Sequence, residues 1–140
     1  MSHHAKALVL SCMDYRFQEA IADFCRELRI AGSCDYLAVA GSALNITRPN
    51  QEQDRAFITG QIEKSLRLHA ITQVVIINHQ NCGAYGEFDL ESTEKVQHYA
   101  DLKKAAKIIQ DHFPELKVKL YFANLKEKGS KREIEFEEVK

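Results

Sequence analysis

No stretch of the chain approaches the ~18 consecutive apolar residues of a membrane-spanning helix. The opening residues, MSHHAKALVL, lack a long apolar segment with a small-residue cleavage site, so no secretory leader is expected; the SHH segment is assigned no chemistry. Net charge is nearly absent: 19 basic side chains face 20 acidic ones, a formal charge of −1. Such a chain has no global field to hold nucleic acid or an anionic membrane, and neither half carries a basic stripe or an acidic tail. A Cys-x-x-Cys pair is missing, which argues against a thiol redox protein. Internal repeats, low-complexity segments and linkers are missing too.

What is present reads as one soluble globular domain over residues 1–140, with 45% hydrophobic and 28% charged side chains. A chain of this length buries a core without disulfide staples. The cysteines fall at 12, 25, 34 and 82. The expected compartment is the cytoplasm, where thiols stay reduced and serve as metal ligands, catalysts or core residues.

Hydrophobic patterning predicts the order β-α-β-α-β-α-β-β. KALVLSC, CDYLAVAG, TQVVIINH and KVKLYFANL read as short buried strands, and REIEFEEV alternates like a half-exposed edge strand. Helices are predicted after the first strand (Ile21, Phe24, Cys25 and Leu28 inward, Gly32 as the stop) and from about Asp54 to His69. The second of these should turn Phe57 or Ile58, then Ile62, Leu66 and Ala70, inward. A third helix, capped at Ser92 or Thr93 and closed by Pro114, should bury Val96, Tyr99, Leu102, Ala106 and Ile109. SALNITRPNQEQ reads as a polar loop and KEKGSK as a turn. Alternating strands and helices imply an α/β, three-layer fold. Its mostly parallel central sheet has about four strands, and the closing hairpin adds an antiparallel edge strand.

In open α/β sheets the site lies beyond the carboxyl ends of the strands. Two such ends carry reactive groups: the first delivers Cys12, Asp14 and Arg16, and the third delivers His79 and Cys82. If those strands are neighbours, two thiols and an imidazole converge, a set that selects zinc and leaves one tetrahedral position open. Taken singly, each residue has an ordinary explanation. His79 can cap, Cys12 and Cys82 can fill core, and Asp14 with Arg16 can form a surface ion pair of little weight.

Together, CMDYR and HQNCGAY resemble the β-class carbonic anhydrases, which carry Cys-x-Asp-x-Arg after the first strand and His-x-x-Cys-Gly after the third. VAGSALN is similar to that family's Ala-Gly turn after the second strand, and the likeness spans nearly the whole chain. The resemblance implies Zn2+ held by Cys12, His79 and Cys82, with Asp14 and Arg16 as a catalytic dyad. The implied reaction is reversible hydration of carbon dioxide to bicarbonate. Zinc brings the pKa of bound water toward ~7. Two thiolates offset much of the metal charge, so an acceptor that orients the hydroxide gains importance. Asp14 suits that role, kept ionised by Arg16 through a two-pronged hydrogen bond. Released by Arg16, Asp14 could instead swing onto the zinc and close the site, an arrangement the family also shows. A homodimer is the expected assembly.

The chain also departs from the family pattern. Tyr15 stands where a serine is usual and could narrow the pocket or change the hydrogen bonding of Asp14. The turn Ala38, Val39, Ala40, Gly41 lacks the usual arginine and asparagine, and the substrate-contacting glutamine and the N-terminal helical arm are missing. These departures keep two alternatives in view: a zinc hydrolase of another small molecule, or a non-catalytic zinc-binding protein. Elsewhere, Cys25 is assigned to core and Cys34 to core or a spare thiol. His69 and His98 are assigned to solvated helix faces, His112 to the last turn of its helix, and Tyr85 to the site lining.

Overall fold

A computed structural model describes residues 3–140; Met1 and Ser2, the start of the segment without assigned chemistry, lie outside the described residues. The strands are β1 (Ala7–Ser11), β2 (Cys34–Ala38), β3 (Gln73–His79), β4 (Lys117–Lys128) and β5 (Lys131–Val139). The helices are α1 (Gln18–Glu27), α2 (Leu44–Thr47), α3 (Glu52–His69) and α4 (Glu91–His112). The strands form one sheet in the order β2-β1-β3-β4-β5, in which only β5 runs antiparallel to its neighbour. This is the predicted α/β arrangement, four parallel strands plus an antiparallel edge.

The near-continuous apolar runs of β1 and β3 have the reason the sequence implies: both faces are covered. Leu8, Leu10, Val74, Ile76, Leu120 and Phe122 face α2, α3 and α4. Ala7, Val9, Val75, Ile77 and Ala123 face the other way, onto Phe17 and onto Ile21 and Cys25 of α1. Each large aliphatic side chain buried in these layers contributes about 1.5–3 kcal/mol. Cys25 is core, as expected, and Cys34 packs at its margin.

Several local expectations are corrected. The segment read as a polar loop contains α2, with Ala43, Ile46 and Thr47 buried, because one short turn of helix is too brief to show a period. α1 ends at Glu27 rather than Gly32; Arg29 takes the left-handed conformation (φ 61) that follows the helix end. In α3, Ile58 turns inward and Phe57 is exposed. The N-cap of α4 is Leu90, two to three residues before the expected Ser92 or Thr93, and makes no side-chain cap bond.

The largest change concerns the buried face of α4. Leu102 and Ile109 face inward as predicted, but Val96 is 70% exposed. The inward face instead carries Glu94, His98 and Asp101. His98 is fully buried, against its assignment to a solvated face, and half-buried His69 bonds Asp35 rather than facing only water. Polar residues buried through hydrogen bonds leave no trace in a hydrophobic pattern. Among the described residues, no helix is long and apolar enough to cross a membrane.

Candidate metal centre

β1 and β3 are hydrogen-bonded neighbours in parallel register, so their carboxyl ends lie side by side. Cys12 directly follows β1, His79 is the last residue of β3, and Cys82 sits in the loop beyond. One ligand atom from each of the three lies within 4.8 Å of the others. Past β1 the side chains alternate in burial, with Cys12 buried, Met13 exposed and Asp14 half-buried. Cys12 and Asp14 turn toward the loop of His79, while Met13 turns to solvent.

The donor set fits a thiophilic cation such as zinc. His79 Nδ1 donates to the carbonyl oxygen of Gln80 at 2.7 Å, which places the ring proton on Nδ1. Nε2 is then a bare lone pair, and it is buried with no hydrogen-bond partner. Phe17 lies against the imidazole, with ring centroids 4.1 Å apart, and shields it from water. The two thiols are close enough to share a proton. Cys12 is drawn down to about 4, chiefly by the hydrogen bond from Cys82 and against its own burial. Cys82, donating that bond and buried, is pushed up. A cation placed between them would allow both to ionise.

Beside these groups stand Asp14 and Arg16. Asp14 caps the single 3-10 turn Tyr15–Phe17, its Oδ1 accepting from the Arg16 N–H at 3.0 Å. That turn brings the guanidinium back over the carboxylate: Nε donates to Oδ1 at 3.1 Å and Nη2 to Oδ2 at 2.7 Å. The spacing of two residues is therefore a local capping geometry with a charged clasp. The Arg16 hydrogen bonds hold the Asp14 carboxyl below the usual carboxylate range. Tyr15 points away, 75% exposed, with the Arg132 guanidinium 5.6 Å from its ring centre. It neither narrows the site nor bonds Asp14.

The turn after β2 closes the other side. Gly41 has φ 87, and a Cβ there would stand 3.1 Å from Cβ of Ala84 and 3.2 Å from Cβ of Leu44. Only glycine permits both that conformation and that approach. An open cavity of about 670 Å³ adjoins the site, lined in part by Asn81, Cys82, Glu87, Leu90, Glu91 and Glu94.

Sequence reasoning missed four residues around the centre. Asn78 accepts the Ala43 N–H on Oδ1 (3.1 Å) and donates through Nδ2 to Tyr85 Oη and His98 Nδ1, both at 2.9 Å. That assignment leaves the His98 proton on Nε2, which faces Glu94 Oε2 at 3.9 Å. Burial is the main reason His98 is lowered to about 4. Asn81 and Glu94 bond the loop between His79 and Cys82. The available signals were an asparagine inside the His-x-x-Cys loop and the i, i+4 spacing of Glu94 and His98. Tyr85, expected at the site lining, packs on His98 with ring centroids 3.8 Å apart.

Three comparisons bear on this geometry. A family model described as "Putative carbonic anhydrase" matches residues 2–135. An uncharacterized protein of Rickettsia conorii is 31% identical over 129 residues, which cover 88% of this chain and 69% of that one. A crystal structure of carbonic anhydrase from Streptococcus mutans superposes with a TM-score of 0.63 at 16% identity, covering 99% of this chain and 84% of that one. The structure of the β-carbonic anhydrase CcaA gives a TM-score of 0.61 at 14% identity, covering 88% and 76%. At those identities the two structures speak for the fold alone. With the family match over nearly its whole length, the chain belongs to this carbonic-anhydrase family, as a divergent member with the β-carbonic-anhydrase fold.

Proposed function

We propose that the protein is a zinc-dependent carbonic anhydrase catalysing CO2 + H2O ⇌ HCO3− + H+. Cys12, His79 and Cys82 would hold the metal, and Asp14 and Arg16 would act as the dyad. The observation that carries the reading is the buried, unpartnered Nε2 of His79, which shares its surroundings with two thiols and with the clasped carboxylate of Asp14. Zinc at that point supplies a Lewis acid that lowers the pKa of water toward ~7.

The chain's own groups do the rest. Asp14 Oδ2 accepts a hydrogen from the attacking water and turns its lone pair toward the carbon of carbon dioxide. An ionised carboxylate can only accept, so the orientation is unambiguous. Arg16 keeps Asp14 ionised and fixed through two donors, which preserves a near-attack geometry. Phe17 and the Nδ1–H of His79 hold the imidazole in one plane and one tautomer. A homodimer in the cytoplasm belongs to the same reading; the reduced state it implies keeps Cys12 and Cys82 free to bind metal.

Metal analysis joined to stopped-flow hydration tests the proposal. The expected result is about one zinc per chain, lost on Cys82→Ser or His79→Ala, since each removes a ligand of a three-residue site, and hydration that follows zinc content. Full zinc occupancy without hydration between pH 7 and pH 9 would leave a non-catalytic zinc protein or a hydrolase of another small molecule.

A further inference from the structure

Asn81 stands immediately before Cys82 in the left-handed conformation, φ 60. Its carbonyl oxygen accepts from Arg16 Nη2 at 2.9 Å, and its Oδ1 accepts from Arg16 Nη1 at 3.1 Å. Its N–H donates to Oε2 of Glu94 at 2.6 Å. Glu94, in the first turn of α4, is 7% exposed. Among the described residues it pairs with no lysine or arginine; its one ion-pair contact is with His98, 3.9 Å away. A buried carboxylate destabilises a fold unless it is hydrogen-bonded. Here the bond goes to the backbone of the loop that carries Cys82.

Arg16 has rotatable bonds along its whole stem, and Asp14, two residues away, moves with the same turn. A guanidinium is held in one orientation only when both sides of its fork are anchored. Asp14 takes one side and Asn81 the other. Asn81 offers two oxygens to Arg16 because its peptide is turned left-handed, a conformation that costs energy outside glycine.

We propose that Glu94 is a positioning residue for the Asp14–Arg16 pair, acting through Asn81: its carboxylate holds the Asn81 peptide so that both Asn81 oxygens face the guanidinium. The inference rests on reading that pair as the working dyad. Its chief readout is independent of activity.

That readout is hydrogen exchange of the Arg16 Nε–H in zinc-loaded protein, followed by nitrogen–proton NMR. In the parent chain the proton is bonded to Asp14, and slow exchange is the expected result. Glu94→Ala, and Glu94→Met with similar length but no acceptor, are expected to speed exchange and lower kcat roughly tenfold each, because a small misplacement near reacting atoms is costly. Glu94→Gln keeps an oxygen acceptor and should stay within about twofold of the parent in both. Zinc content should remain unchanged in all three.

Unchanged Arg16 exchange in folded, zinc-loaded Glu94→Ala or Glu94→Met overturns the inference. Equal losses in Glu94→Gln overturn it too, as does failure of both acceptor-free variants to fold while Glu94→Gln folds. If the parent chain hydrates no carbon dioxide, the proposed activity fails, and the exchange measurement still decides the role of Glu94.

Discussion

Oδ2 of Asp14 lies 3.7 Å from Nε2 of His79. The same oxygen accepts from Arg16 Nη2 at 2.7 Å. Asp14 is therefore clasped by Arg16 with one oxygen close to Nε2 of the imidazole. Of the two arrangements that the family resemblance implies, the structure has the one with Asp14 on Arg16.

Removing that clasp should separate metal binding from turnover. Arg16→Gln is expected to keep zinc, because no ligand is touched, and to lower kcat/KM on the order of 100-fold through loss of orientation. Arg16→Lys should not restore it, since a point charge cannot bond both carboxylate oxygens in plane. Zinc stoichiometry and stopped-flow rates on the same samples decide; retained turnover in Arg16→Gln would remove Asp14 orientation from the mechanism.

Tyr15 offers a contrasting case. It replaces the serine expected from the family pattern, yet it is exposed and lies beneath Arg132. Tyr15→Ser should change kcat/KM by no more than about twofold, as for ordinary surface substitutions. A large gain or loss would show that the phenol reaches the substrate path.

His98 predicts a pH dependence of stability. Burial lowers it from 6.5 to about 4, so the folded chain keeps it neutral where the unfolded chain protonates it. The unfolded state binds the extra proton between those values, and stability rises with pH across that window. The contribution is complete above pH 6.5 and lost as pH falls toward 4, by on the order of 3 kcal/mol at 1.36 kcal/mol per unit. In His98→Gln, urea unfolding from pH 4 to pH 7 should show a flatter slope, whatever its absolute level. An identical slope would contradict a neutral, buried His98.

Gly41 tests the contact between the turn after β2 and the loop of Cys82. Gly41→Ala meets both a left-handed φ and a 3.1 Å approach to Ala84. The expected cost is about 1–3 kcal/mol, seen as a lower urea midpoint. Zinc competition should show weaker binding as well, because Ala84 follows Cys82 by two residues. Full stability would mean that the two segments are not pressed together.

Much of this was readable before any coordinates. Apolar runs mark strands covered on both faces, and a thiol, carboxylate and guanidinium two residues apart fall together at the carboxyl end of one strand. These are local consequences of local covalent geometry, so they survive in a one-dimensional record. Which way Asp14 turns is not among them: it was open between Arg16 and a metal, and the turn Tyr15–Phe17 of the folded chain puts it on Arg16.

Other features depend on residues brought together across the chain. Asn81 reaches Arg16 from 65 positions away, and Glu94 reaches Asn81 from a different layer. His98 and Glu94 are polar groups on a helix face that periodicity assigns to Val96, because a satisfied hydrogen bond compensates burial as effectively as apolar character does. The order β2-β1-β3-β4-β5 likewise comes from pairing between distant segments. By itself, then, the sequence determined the order of strands and helices and the candidate residues Cys12, Asp14, Arg16, His79 and Cys82. Tertiary structure alone decided that β1 lies beside β3, that His79 keeps a bare nitrogen facing two thiols, and that a buried glutamate stands behind the arginine. Each of those depends on a partner whose position only the folded sheet specifies.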